Sequence, residues 1–166
     1  MIDRKFNMKL AERGYTAVEL ALACLVVMVL AAISYPQGQS LMNKYRLQGA
    51  IASCTWAIQQ TRYGALQNGY QFQVVFSSSA DTYQIQSLPP TCLVGSTTQN
   101  PCTTWQNVGT AIPISGVPVT MNQDTTLQFK PNGAVTATAG ALNFTVSYKG
   151  KTNTITVTTY GNVKVS

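Results

Sequence analysis

Apolar residues follow three different rhythms along this chain. From Tyr15 to Tyr35 they are almost continuous, with an unbroken run from Ala21 to Ile33. Wound as a helix, that stretch is roughly 30 Å long, about the thickness of a bilayer's hydrocarbon core. From Ser40 to Gly69 the apolar positions recur at intervals of three and four. Leu47, Ile51, Cys54, Ile58 and Ala65 fall on or near one helical face, flanked by Lys44, Gln48, Gln59 and Arg62. Asn68-Gly69 is a natural helix stop, because both residues tolerate the left-handed conformation. Past Gly69 the alternation shortens to two. Tyr70–Phe76 and Asp81–Gln86 read as a hairpin around a turn at Ser77–Ala80.

Ser87 to Ser115 is irregular and carries Pro89, Pro90, Pro101 and Pro113. A loop of this length is usually functional or stapled. Short strands are then expected at Val117–Met121, Thr125–Lys130, Ala134–Thr138, Leu142–Tyr148, Asn153–Thr159 and Asn162–Val165, completing a meander. Pro131-Asn132-Gly133, Lys149-Gly150-Lys151 and Tyr160-Gly161 supply its turns. The pattern predicts an α+β fold: a long N-terminal helix, membrane-spanning in its first half, packed on an antiparallel β-sheet domain. The expected segments are 1–14, a charged leader; 15–35, the span; 36–69, the amphipathic continuation; and 70–166, the β domain.

Charge placement orients the span. Arg4, Lys5, Lys9 and Arg13 all precede it, which keeps the N-terminus cytoplasmic and sends the residues beyond Tyr35 across the membrane. Glu19 is the one charge inside the apolar stretch. A carboxylate at the centre of a span costs about 2.5–3.5 kcal/mol on insertion scales, so it calls for a partner; near the membrane edge it needs none. Pro36 removes a backbone donor, and Gly38 lies just beyond, so a kink or a short melted stretch is expected there, or simply the end of the membrane helix.

Composition narrows the function. The 166 residues carry 11 Lys and Arg against 5 Asp and Glu, with no histidine. A formal charge of +6 with no dense basic block is met by a solvated surface without nucleic acid. Beyond Glu19, only Asp81 and Asp124 downstream of the leader are carboxylates, and no hydroxyl has a histidine or a Gly-x-Ser-x-Gly elbow to activate it. No Cys/His cluster has metal spacing. The sequence reads as a non-enzyme without cofactor or metal.

Export of the domain after Tyr35 would place its cysteines in a disulfide-permissive compartment. Cys92 and Cys102 lie within one short loop containing Gly95 and Pro101, which makes them the expected pair; the competing pairing joins Cys54 to one of them. Cys24 and Cys54 otherwise read as small buried apolar residues.

The segment Gly14-Tyr15-Thr16-Ala17-Val18-Glu19-Leu20 resembles the processing site of type IV pilins and type II secretion pseudopilins. In that family a prepilin peptidase cuts after the glycine and methylates the new N-terminus. The resemblance implies cleavage between Gly14 and Tyr15, methylation of Tyr15, and a filament-assembly role for Glu19 at the fifth mature position. It implies a helix kink at Pro36. Tyr15 stands where the family usually has phenylalanine, and Thr16-Ala17-Val18-Glu19 where it usually has Thr-Leu-Ile-Glu. The alternatives are an ordinary secretory signal or a plain signal anchor; an ordinary apolar region is shorter and ends at a small-residue cleavage site. Cleavage would leave seven bases (Lys44, Arg46, Arg62, Lys130, Lys149, Lys151, Lys164) against Glu19, Asp81 and Asp124, a formal +4.

Within that family, Thr61-Arg62-x-x-Ala65 before Asn68-Gly69, Phe129-x-Pro131-x-Gly133, and the terminal Gly161-Asn162-Val163-Lys164-Val165 resemble the GspH/FimT branch. Members are minor subunits, which implies other pilin or pseudopilin subunits, the prepilin peptidase and the inner membrane as partners. The implied location is a single-pass inner-membrane protein with a periplasmic domain, later part of a pilus or pseudopilus. Some members of the branch bind DNA through arginines after a glycine near the C-terminus. Gly161-Asn162-Val163-Lys164 has no arginine, and Lys149, Lys151 and Lys164 are the only candidates for phosphate contact; three lysines are also ordinary solubilising charges. A third reading is a single-span anchored periplasmic protein unrelated to filaments.

Overall fold

The computed structural model describes residues 16–94 and 97–166. Two compact units divide the protein, the first ending at Ser40 and the second running Leu41–Ser166. One helix, α1 (Ala17–Asn68), supplies the described part of the first unit and the opening of the second. Its helical assignment is unbroken, so the melted stretch expected at Pro36 is not seen. A proline within a helix removes one hydrogen bond, and the neighbouring turns can keep theirs.

In the first unit the side chains whose exposure is described, from Thr16 to Gln39, are all exposed. Among the described residues α1 is the one helix long and apolar enough to cross a membrane, with a window of mean hydropathy 2.5 that is 0% buried.

In the second unit, α1 turns the expected stripe inward. Leu47, Ala50, Ile51, Cys54, Ala57, Ile58 and Ala65 are buried in one core cluster. Thr61 joins them, its hydroxyl donating at 2.6 Å to the Ala57 carbonyl and so satisfying itself within the helix. The helix stops as its last residues dictate: Gly69 takes φ +73° and its N–H returns to the Ala65 carbonyl at 3.1 Å.

The strands beyond it are β1 (Gln71–Ser77), β2 (Thr82–Leu88), β3 (Cys92–Val94), β4 (Thr97–Gln99), β5 (Gln106–Asn107), β6 (Ile112–Pro113), β7 (Thr120–Met121), β8 (Thr125–Phe129), β9 (Val135–Ala139), β10 (Asn143–Tyr148), β11 (Lys151–Val157) and β12 (Val163–Val165). They do not form the single meander expected from their order. One antiparallel sheet runs β5-β2-β1-β8-β9, with β6 also on β2; a second runs β12-β11-β10-β7; β3 and β4 pair by themselves. The β8–β9 and β10–β11 hairpins are local, but β10 pairs back to β7 and leaves β9 in the other sheet.

Alternation explains why both sheets reach the core. Phe72, Val74 and Phe76 of β1 point inward opposite Phe129, Leu127 and Thr125 of β8. Phe144, Val146 and Tyr148 of β10 do the same in the second sheet, with Ile155 of β11 opposite Phe144. Phe76 meets Phe144 across the sheets, ring centroids 5.2 Å apart and tilted, a favourable aromatic geometry.

The stretch Ser87–Ser115, expected to be irregular, contributes four short strands. The β3–β4 pair is closed by the Cys92–Cys102 disulfide, while β5 and β6 both add to β2.

Candidate functional site

Gly14 and Tyr15, the expected cleavage and methylation residues, lie outside the described residues. The described part begins one residue later with a local helix start. The Thr16 hydroxyl accepts the Glu19 N–H at 3.2 Å, so Thr16 caps α1 and Glu19 occupies its first turn. A carboxylate there complements the unpaired N–H groups and the positive end of the helix dipole. Downstream, Val18, Leu20, Leu22, Leu25 to Leu30, Ile33 and Tyr35 are exposed apolar side chains, and Cys24 is exposed among them.

Cys92 and Cys102 form the expected disulfide, with Cα atoms 5.4 Å apart. Cys54 is a free thiol, fully buried, which removes the competing pairing. Burial pushes its thiol pKa up to about 12, with the Asp81 carboxylate acting in the same direction. Burial likewise raises Tyr83.

Both domain carboxylates tie loops. Asp81 sits in the β1–β2 turn at φ 55°, and its Oδ2 accepts the Val119 N–H at 2.6 Å. Asp124 Oδ1 accepts both the N–H and the hydroxyl of Ser78, at 2.7 and 2.6 Å. Those two donors hold its carboxyl below the usual range.

The three candidate DNA-contacting lysines are exposed but not together. Lys149 lies in and Lys151 just after the tip of the β10–β11 hairpin, where Lys149 (φ 45°) and Gly150 (φ 77°) make the two-residue turn that suits strand twist. Lys164 lies on β12 opposite Thr156. Lys151 and Thr156 are five positions apart on β11, which is roughly 16 Å of strand.

A constellation outside these expectations lies where α1 meets two hairpin turns. The β8–β9 turn closes with Gly133 N–H on the Lys130 carbonyl at 2.8 Å and Lys130 N–H on the Ala134 carbonyl at 2.9 Å. The β11–β12 turn repeats this, Gly161 on Thr158 at 2.7 Å and Thr158 on Asn162 at 2.9 Å. Each glycine has positive φ, +79° and +77°. Both abut Arg62. A Cβ on Gly161 would stand 2.8 Å from Arg62 Cδ and 2.9 Å from Nε, and one on Gly133 would stand 3.4 Å from Nε. Glycine at each turn therefore serves the turn and leaves room for the arginine.

Arg62 Nε is buried without a hydrogen-bond partner. Beside it opens a cleft of about 190 Å³ lined by Gln59, Arg62, Tyr63, Gly161, Asn162 and Val163. Arg62 and the two glycines each appear in the sequence as ordinary features, a flanking charge and two turns. Their meeting depends on strand pairings that no local pattern specifies.

The sequence matches no family model and no curated protein, and the fold matches no solved structure.

Proposed function

We propose that the protein is a minor structural subunit, a pilin or pseudopilin of the GspH/FimT kind, acting in the assembly or priming of a type IV pilus or type II secretion pseudopilus. It catalyses no reaction. One observation carries the reading: the first half of α1 presents exposed apolar side chains on all sides. In support, its start overlaps the Gly14-Tyr15…Glu19 stretch that resembles a prepilin processing site. A helix apolar all round is buried in lipid or in a bundle. A filament subunit uses both settings in turn. It waits in the bilayer as a single-span precursor with its domain in the periplasm, then passes into the core of a helical assembly. Apolar side chains lose little in that transfer, so close packing decides the geometry.

Glu19 then has two partners in succession. Within its own subunit it complements the helix start beside Thr16. In the filament it pairs with the freed amine of Tyr15 on an adjacent subunit, where attraction in a low-dielectric setting is offset in part by desolvation. Its contribution is docking register more than stability.

Two measurements test this. Intact mass of protein extracted from membranes should give a species starting at Tyr15 with one added methyl; a species retaining Met1, or one starting near Ser34, rejects the reading. Glu19→Val should insert and be cleaved normally yet be missing from sheared filaments, and normal incorporation would contradict the charge pairing.

A further inference from the structure

The second unit holds a guanidinium that the fold positions and leaves unused. Arg62 is half-buried, and its Nε is fully buried without an acceptor. Buried polar groups in native proteins are almost always hydrogen-bonded, and an orphan requires an explanation such as a bound water or ion. No carboxylate of the second unit's described residues pairs with this Nε: Asp81 accepts the Val119 N–H on Oδ2 and keeps its own buried Oδ1 unpartnered, and Asp124 is taken by Ser78. Two glycine turns hold the arginine's stem in place, so the group is fixed before any ligand arrives.

We propose that the cleft beside Arg62 is a receptor for a single carboxylate, an acidic side chain or the C-terminal carboxylate of another polypeptide. Charge decides between oxyanions. The lining contains one cation, Arg62, with the neutral amides of Gln59 and Asn162 beside it. One guanidinium matches one carboxylate in charge and in its planar, two-pronged geometry, and side-chain amides can donate to the remaining lone pairs. A phosphate near neutral pH carries more charge than this lining would compensate. Size agrees: at about 190 Å³ the cleft lies below the roughly 300–1,000 Å³ of small-molecule pockets and suits one side chain. Tyr63, 63% exposed at the rim, offers an aromatic face to the segment that carries the acid. The proposal does not depend on the filament reading, since any acidic peptide presented to this face would serve.

The full-length protein in detergent micelles is the material for the test. It contains four arginines, so the Nε–Hε region of a ¹⁵N spectrum is sparse, and Arg62→Lys assigns the resonance. The probes are acetyl-glutamate amide and inorganic phosphate, titrated at constant ionic strength. The expected result is a saturable shift of the Arg62 Nε–Hε signal with the glutamate probe, tighter than with phosphate. Gln59→Ala, an exposed position, should keep the spectrum of the fold and weaken binding at least threefold. A linear, unsaturated shift, tighter binding of phosphate, or identical titrations for wild type and Gln59→Ala would each overturn the proposal. So would unchanged Arg62 signals throughout, which would leave the slot occupied by water alone.

Discussion

Arg46 donates a 3.0 Å hydrogen bond from Nη1 to the hydroxyl of Tyr148, joining α1 to the end of β10 across 102 residues of sequence. The tyrosine ring is buried, so its hydroxyl is the part that reaches the helix. Hydrogen bonds to a charged group contribute about 1.5–3 kcal/mol, less where solvent reaches them. Tyr148→Phe should therefore cost about 1–2 kcal/mol. A double-mutant cycle with Arg46→Met should return a coupling of at least about 0.5 kcal/mol from denaturant midpoints. Additive single effects would show that the pair is in contact without mutual stabilisation.

Gly150 and Gly161 share a φ of +77° but not a neighbourhood. A Cβ at Gly150 meets nothing within 4 Å, whereas one at Gly161 runs into Arg62 and lies 3.1 Å from the Gly133 carbonyl. Gly150→Ala should cost about 1–2 kcal/mol, the penalty of left-handed backbone alone. Gly161→Ala should cost a further 1–3 kcal/mol or so from overpacking. Thermal melts of the two variants under the same conditions compare them directly, and equal losses would show that the Arg62 stem yields.

The disulfide closes a short loop around β3 and β4. Replacing both Cys92 and Cys102 with serine should lower stability by about 2–4 kcal/mol on loop-closure grounds. Peptide mapping without reductant should find this crosslink and leave Cys54 as a thiol, protected from maleimide until the domain unfolds.

Cys54 also gives the domain a basic limit. Its folded pKa is about 12 against an ordinary 9.0, so between those values the unfolded polypeptide has released a proton that the folded one retains. Stability from this site is fully present below pH 9 and falls as pH rises, by up to roughly 1.4 kcal/mol per unit toward the folded value. Cys54→Ala should flatten that alkaline slope in urea melts run from pH 8 upward. It should cost some stability at neutral pH through the small cavity it leaves.

Much of this architecture is legible because its signals are local. The three-and-four spacing of Leu47, Ile51, Cys54 and Ile58 states which side of α1 is inward. Asn68-Gly69 ends the helix, and Lys149-Gly150 and Pro131-Asn132-Gly133 set hairpins, since turn geometry acts over a few residues. Pairing over distance escapes. The β1–β8 register joins Phe72 to Phe129, and the choice of β7 over β9 as the neighbour of β10 leaves no mark within either strand. The Arg62 slot fails to show for the same reason: it requires two turns from different sheets to arrive at one helix. At Pro36 the helix runs on without melting, since the helical residues on either side outweigh one local breaker.

The short strands β5 and β6 give the segment between β2 and β7 a purpose that its proline-rich sequence conceals. Gln106 and Asn107 pair with Ser87 and Gln86, and Ile112 and Pro113 pair with Tyr83 and Thr82, so both ends of the far side of β2 are occupied. An open strand edge is a template on which another polypeptide can add, and proteins blunt such edges with short strands, prolines and covering loops. Pro113 within β6 cannot pass the ladder outward, because it has no N–H to donate. The segment is thus a guard against unplanned association. Replacing residues 103–111, none of them buried, with a glycine–serine stretch would keep Cys102, Ile114 and Val119 in place and expose that end of β2 to strand addition, so the altered protein would fold and then aggregate.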